Sequence, residues 1–80
     1  MESKIAVVAI IVSDLSAVES VNSLLHKFGE YIIGRLGLPY REKKVNVISV
    51  VMDAPPEIIN GLSGKLGMLN GVSSKVLTTK

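Results

Sequence analysis

The chain has 80 residues, 48% of them hydrophobic, with nine Lys and Arg against seven Asp and Glu, one His and no Cys. A single domain over residues 1–80 of this size buries little more than ~60% of the surface its unfolded chain exposes. The composition excludes disulfides, iron–sulfur ligation and thiolate chemistry and leaves one histidine for metal binding, so a partner subunit is the remaining reinforcement.

The first apolar run, Ile5 to Val12, has hydrophobic side chains at both odd and even positions, so both faces of this strand need cover. It is far shorter than the ~20 residues a helix needs to span a bilayer. Read as a leader behind Lys4, it would have a flank weakened by Glu2, and cleavage would remove a strand. The expectation is a cytoplasmic protein without membrane spans. Asp14 and Ser16 then supply a turn and a helix start, with Ser16 and Glu19 spaced as a capping box. Val18, Val21, Leu25 and Phe28 form one buried helical stripe that Leu24 widens, and Gly29 is expected to cap the helix.

A second strand is expected from Glu30 or Tyr31 to about Leu38, where Gly34 and Gly37 mark a bulge or a close approach to the backbone. Residues 39–44 make the hairpin and Val45 to Met52 the third strand, again apolar on both faces apart from Asn46 and Ser49. Beyond Asp53, the pair Pro55 and Pro56 fits a turn entering a helix. That helix has its stripe at Ile58, Ile59, Leu62, Leu66 and Leu69. Val72 to Thr79 reads as a polar edge strand.

The same strand-helix-strand order thus occurs twice, Val21 corresponding to Ile59, Leu24 to Leu62, Phe28 to Leu66 and Gly29 to Gly67. Two such units with right-handed crossovers predict an α+β, ferredoxin-like βαββαβ fold. Its four-stranded antiparallel sheet has the order 4-1-3-2, with both helices on one face. The central strands are apolar on the other face too, which predicts a homo-oligomer, dimer or tetramer. Gly61, Gly64 and Gly67 fall opposite the second stripe. They imply either an interface where a subunit or ligand approaches closely, or a frayed helix that Gly67 merely caps.

Little reaction chemistry is legible. Gly64 and Lys65 lack the preceding glycine and the following Ser or Thr of a phosphate loop, and they lie within a helix. His26 sits alone on an outer helix face, a poor metal site. The carboxylates are dispersed with no acid–base pair, and the third strand carries no aromatics for stacking RNA bases. Arg41, Lys43 and Lys44 around Glu42 are the only basic cluster, which is either a solvated hairpin or a phosphate contact.

The run Val12, Ser13, Asp14, followed by Val18 to Leu25 and then Phe28, Gly29, resembles the opening of ACT-like regulatory domains. Gly34 to Tyr40 together with Leu62 to Gly67 is similar to a small stand-alone family described as regulators of iron-only hydrogenase systems. The resemblance implies an ACT-like regulatory module, related to the C-terminal domains of nickel-responsive repressors, that is not an enzyme and has no catalytic residues or cofactor. It would act as a homo-oligomer that senses a small molecule or docks on a protein. Asp14 and Ser16 would offer polar groups at the first strand-to-helix loop, Gly34 close approach and Arg35 a carboxylate clamp. The alternatives are that Asp14 and Ser16 only start a helix, that Arg35 is a solvated strand residue, and that the chain is a structural subunit without ligand. The repressors' nickel-binding His and Cys have no counterparts here, so no metal is expected. With every residue spent on the repeat, any contact with DNA is expected to be a partner's.

Overall fold

The computed structural model describes residues 2–79. The strands are β1 (Lys4–Val12), β2 (Ile32–Tyr40), β3 (Val45–Ala54) and β4 (Val72–Thr78), and the helices are α1 (Val18–Lys27) and α2 (Pro56–Gly67). Short 3-10 turns stand at Leu15–Ala17, Gly29–Tyr31 and Arg41–Lys43. The sheet order is β2-β3-β1-β4, antiparallel throughout, the ferredoxin-like arrangement that the repeat predicts.

Alternation of side chains along the two central strands builds the core. Ala6, Val8, Ile10 and Val12 of β1 and Ile48, Val50, Met52 and Ala54 of β3 are buried against the helices. From above, α1 contributes Val21 and Leu25, and α2 contributes Ile59, Leu62 and Leu66. Phe28, Leu24, Ile58 and Leu69 close the margins. Pro56 occupies the first turn of α2, where its missing amide proton leaves no bond unmade.

Several local expectations are corrected. Ser16 does not cap α1, because the Asp14 carboxylate takes both its amide and its hydroxyl, and the segment Leu15–Ala17 tightens into a 3-10 turn before α1 begins. Gly29 is no left-handed cap: α1 ends at Lys27 with Phe28 as its cap residue, and the chain passes straight into a second 3-10 turn, its closing bond donated by the Tyr31 amide to the Phe28 carbonyl at 3.0 Å. The second strand begins later than expected, at Ile32, and continues through Pro39 to Tyr40. An edge strand tolerates that proline because one side of its backbone has no ladder to lose. A register irregularity between Ile32 and Gly34 is the anticipated bulge. Lys44 takes the left-handed conformation that closes the hairpin, with φ 54°.

The face of the sheet away from the helices is apolar. By register it presents Ile5, Val7, Ala9 and Ile11 of β1, with Val47, Ser49, Val51 and Asp53 of β3. Leu36, Leu38 and Tyr40 of β2 extend it on one side and Leu77 on the other. Ile11 is 47% exposed, Leu36 57% and Leu77 73%. Among the paired strand residues its charges are Asp53 and Lys75, one of each sign.

Candidate functional site

The end of β1 is tied to the loop entering β4. The Gly71 carbonyl accepts from the Ser13 amide at 2.7 Å, the Ser13 hydroxyl at 3.1 Å and the Asp14 amide at 3.3 Å. Gly71 has φ +74°, and a Cβ there would collide with Cβ of Asp14 and come within 3.0 Å of its amide nitrogen. Only glycine fits both the backbone and the space. So anchored, Asp14 directs Oδ1 at the Ser16 amide, 3.0 Å away, and the Ser16 hydroxyl, 2.7 Å away. The hydroxyl and then the amide stabilise the carboxylate and hold the Asp14 pKa below the usual value. Asp14 is therefore a fixed anion near neutral pH, unsuited to proton transfer.

Arg35 projects from β2 on the helix side of the sheet, opposite Val50, and its Nη2 donates to Oδ1 of Asn22 in α1 at 2.7 Å. Gly34, next to it in the chain, pairs with Val51 and faces the uncovered side. The structure therefore brings Asp14 and Ser16 together and Arg35 to Asn22, while Gly34 belongs to the opposite face.

A trough runs beside Arg35 between α1 and the hairpin, with Val18 and Asn22 of α1 on one side and Gly37 and Pro39 of β2 on the other. Its two lobes have volumes of about 220 and 270 Å³ and share Val18, Pro39 and Asn46. Arg35 and Asn22 stand in the first lobe, Arg41 and Lys44 in the second. A broader depression of about 730 Å³ follows the outer flank of α1 past Ser16, Glu19, Asn22 and His26. It mixes charges of both signs along one exposed helix and lacks walls that would exclude water.

Gly61, Gly64 and Gly67 lie in a helix that stays continuous through Gly67, so fraying does not explain them. A Cβ at any of the three would meet nothing within 4 Å. Among the described residues no group of three or more His, Cys, Asp or Glu could hold a metal ion. No helix among the described residues is long and apolar enough to cross a membrane.

Asn22, Asn46 and Gly71 were not legible as site residues. Gly71 has a signal in the Asn70-Gly71 dipeptide, a turn pair that favours positive φ. The asparagines have none, since their role depends on elements that meet only in the folded chain.

The profile of the family described as "TM1266-like: Iron-only hydrogenase system regulator, putative" matches residues 4–76. Among solved structures, protein TM1266 from Thermotoga maritima is 38% identical, with a TM-score of 0.94 over 99% of this chain and 100% of that one. A formyltetrahydrofolate deformylase from Pseudomonas putida KT2440 aligns with a TM-score of 0.64 at 13% identity. It covers 90% of this chain and 28% of the deformylase, a likeness of fold alone. No curated protein matches.

Proposed function

Because the chain belongs to the TM1266-like family, whose description names regulation of iron-only hydrogenase systems, we propose that it is an ACT-like, non-enzymatic regulatory module working as a homo-oligomer. The observation that carries the assembly is the uncovered apolar sheet face. A folded monomer of 8.5 kDa exposes about 4,700 Å², whereas this protomer exposes 5428 Å². The excess is comparable to the ~800 Å² that one partner contributes to a standard interface. Covering the remaining exposure of each aliphatic side chain on the face returns about 1 kcal/mol, half of what full burial brings, and several such side chains act together. With one acid and one base on the face, a second copy of the chain is an electrically matched occupant.

On the same reading, the glycine side of α2 is a second surface open to close subunit approach, and the groups around α1 receive a small effector. Asp14, Ser16 and Arg35 are the polar groups there, whereas Gly34, on the uncovered face, keeps the strand thin where a subunit would lie. Light scattering on the purified protein tests the assembly: a mass of at least twice 8.5 kDa at micromolar concentration is expected, and a clean monomer overturns it. Deleting the gene in a host with an iron-only hydrogenase tests the regulation. Transcript or activity levels of the hydrogenase should change, and unchanged levels under all growth conditions that express it would remove the regulatory role.

A further inference from the structure

The trough between α1 and the β2–β3 hairpin carries charge of one sign only. Arg35 stands at one end, Arg41 and Lys44 at the other, and no Asp or Glu lines either lobe. Glu42, the acid of the hairpin turn, accepts from the Tyr40 hydroxyl at 3.1 Å and lines neither lobe. Between the cationic ends the walls are aliphatic, from Val18, Pro39 and Ile48, and the Asn46 side of β3 adds one polar position. The register explains the placement: Arg35, Gly37 and Pro39 share the helix side of β2 with Asn46 and Ile48 of β3, facing Val18 and Asn22 of α1 across the trough. At Gly37 and Pro39 the strand has no long side chain to fill the space.

Arg35 is also pre-positioned. A guanidinium has five N–H donors in a planar fork, and the bond to Asn22 uses one of them on a neutral acceptor. The charge is left without compensation from that partner, while the side chain is held over the trough. A fork fixed in this way suits a carboxylate better than a freely rotating cation does.

We propose that this trough binds a small organic dianion, with one carboxylate on Arg35 and Asn22, a short aliphatic chain against Val18 and Pro39, and a second anionic group reaching Arg41 and Lys44. This names the ligand class for the effector-sensing half of the function proposed above. Two separated cationic ends with an apolar floor select against both a monoanion and a compact inorganic anion. The former leaves one end unmatched, and the latter cannot span the floor.

The test is a titration of the isotopically labelled full chain with succinate, glutarate and adipate, followed by amide chemical shifts, with butyrate and inorganic sulfate as comparison ligands. Shifts should concentrate at Asn22, Arg35, Asn46 and the hairpin, affinity should peak at one chain length, and butyrate and sulfate should bind more weakly. Arg35→Gln, at an exposed position, should weaken binding of the best dianion by roughly tenfold or more, the usual loss of a charge-assisted pair. Arg41→Gln should weaken the dianion but not butyrate. The proposal is overturned if no dianion shifts these amides at millimolar concentration, if sulfate binds as tightly, or if Arg35→Gln binds equally well. Binding is read on the purified protein. A dianion that binds as described while hydrogenase levels ignore deletion of the gene would keep the site and remove the regulatory role. The reverse pair of results would remove the site and leave regulation by protein docking.

Discussion

At the residue scale, the loop after β1 depends on one glycine and one carboxylate. Gly71→Ala would force a non-glycine residue to φ +74° and drive its Cβ into Asp14. Unfolding by urea should show a loss of about 2–4 kcal/mol, combining backbone strain with displacement of the first loop. A loss under ~0.5 kcal/mol, the level of an ordinary surface substitution, would mean that the loop is free to move away. Asp14 sets a pH dependence whose sign follows from its depressed pKa. Its contribution to stability is fully present above the unfolded value and is lost as pH falls through the lower folded one. The Asp14 carboxyl resonance should therefore titrate below the ordinary aspartate value, and Ser16→Ala should move that titration upward by removing the hydroxyl bond. An unmoved titration would contradict the geometry of this turn.

At the element scale, α2 is a helix whose sequence works against it. Gly61 and Gly64 each cost the helix ~1 kcal/mol relative to alanine, and within the protomer a methyl group at either position touches nothing. Gly64→Ala should therefore raise the stability of the isolated protomer by roughly 0.5–1 kcal/mol. Thermal unfolding at low concentration reads that gain. If the substitution instead lowers the oligomer mass while the circular dichroism is unchanged, the glycine side of α2 is an interface. The two helix ends show the limits of pattern reading. Glycine after a stripe usually marks a left-handed cap, yet Gly29 continues into a 3-10 turn, and the positive φ at this end of α2 belongs to Gly71, beyond Gly67. The stripes were legible because burial has the helical period. The caps were not, because several short hydrogen-bonding solutions can finish the same helix.

At the scale of the whole molecule, the sheet has two faces of similar hydrophobicity and helices for only one. Val7 lies near the middle of the uncovered face at 37% exposure, whereas Ser23 is exposed on α1, on the other side of the sheet. A charge at the first position must be desolvated on assembly, while one at the second stays in water. Val7→Lys should reduce the scattering mass to that of one 8.5 kDa chain with secondary structure retained, and Ser23→Lys should leave the mass unchanged. Equal masses for the two variants would show that the sheet face is not the contact.

The sequence alone determined the architecture, since two hydrophobic periods and a repeated order of elements leave few ways to bury Val8, Ile10, Val50 and Leu62 together. It also determined that β1 and β3 would be apolar on both sides, because alternation is a local property of a strand. Only tertiary structure decided which polar groups meet. Arg35 and Asn22 come from different elements, and Asp14 rests on Gly71 from the far end of the chain. Such pairings depend on strand register and helix placement, which no single segment encodes.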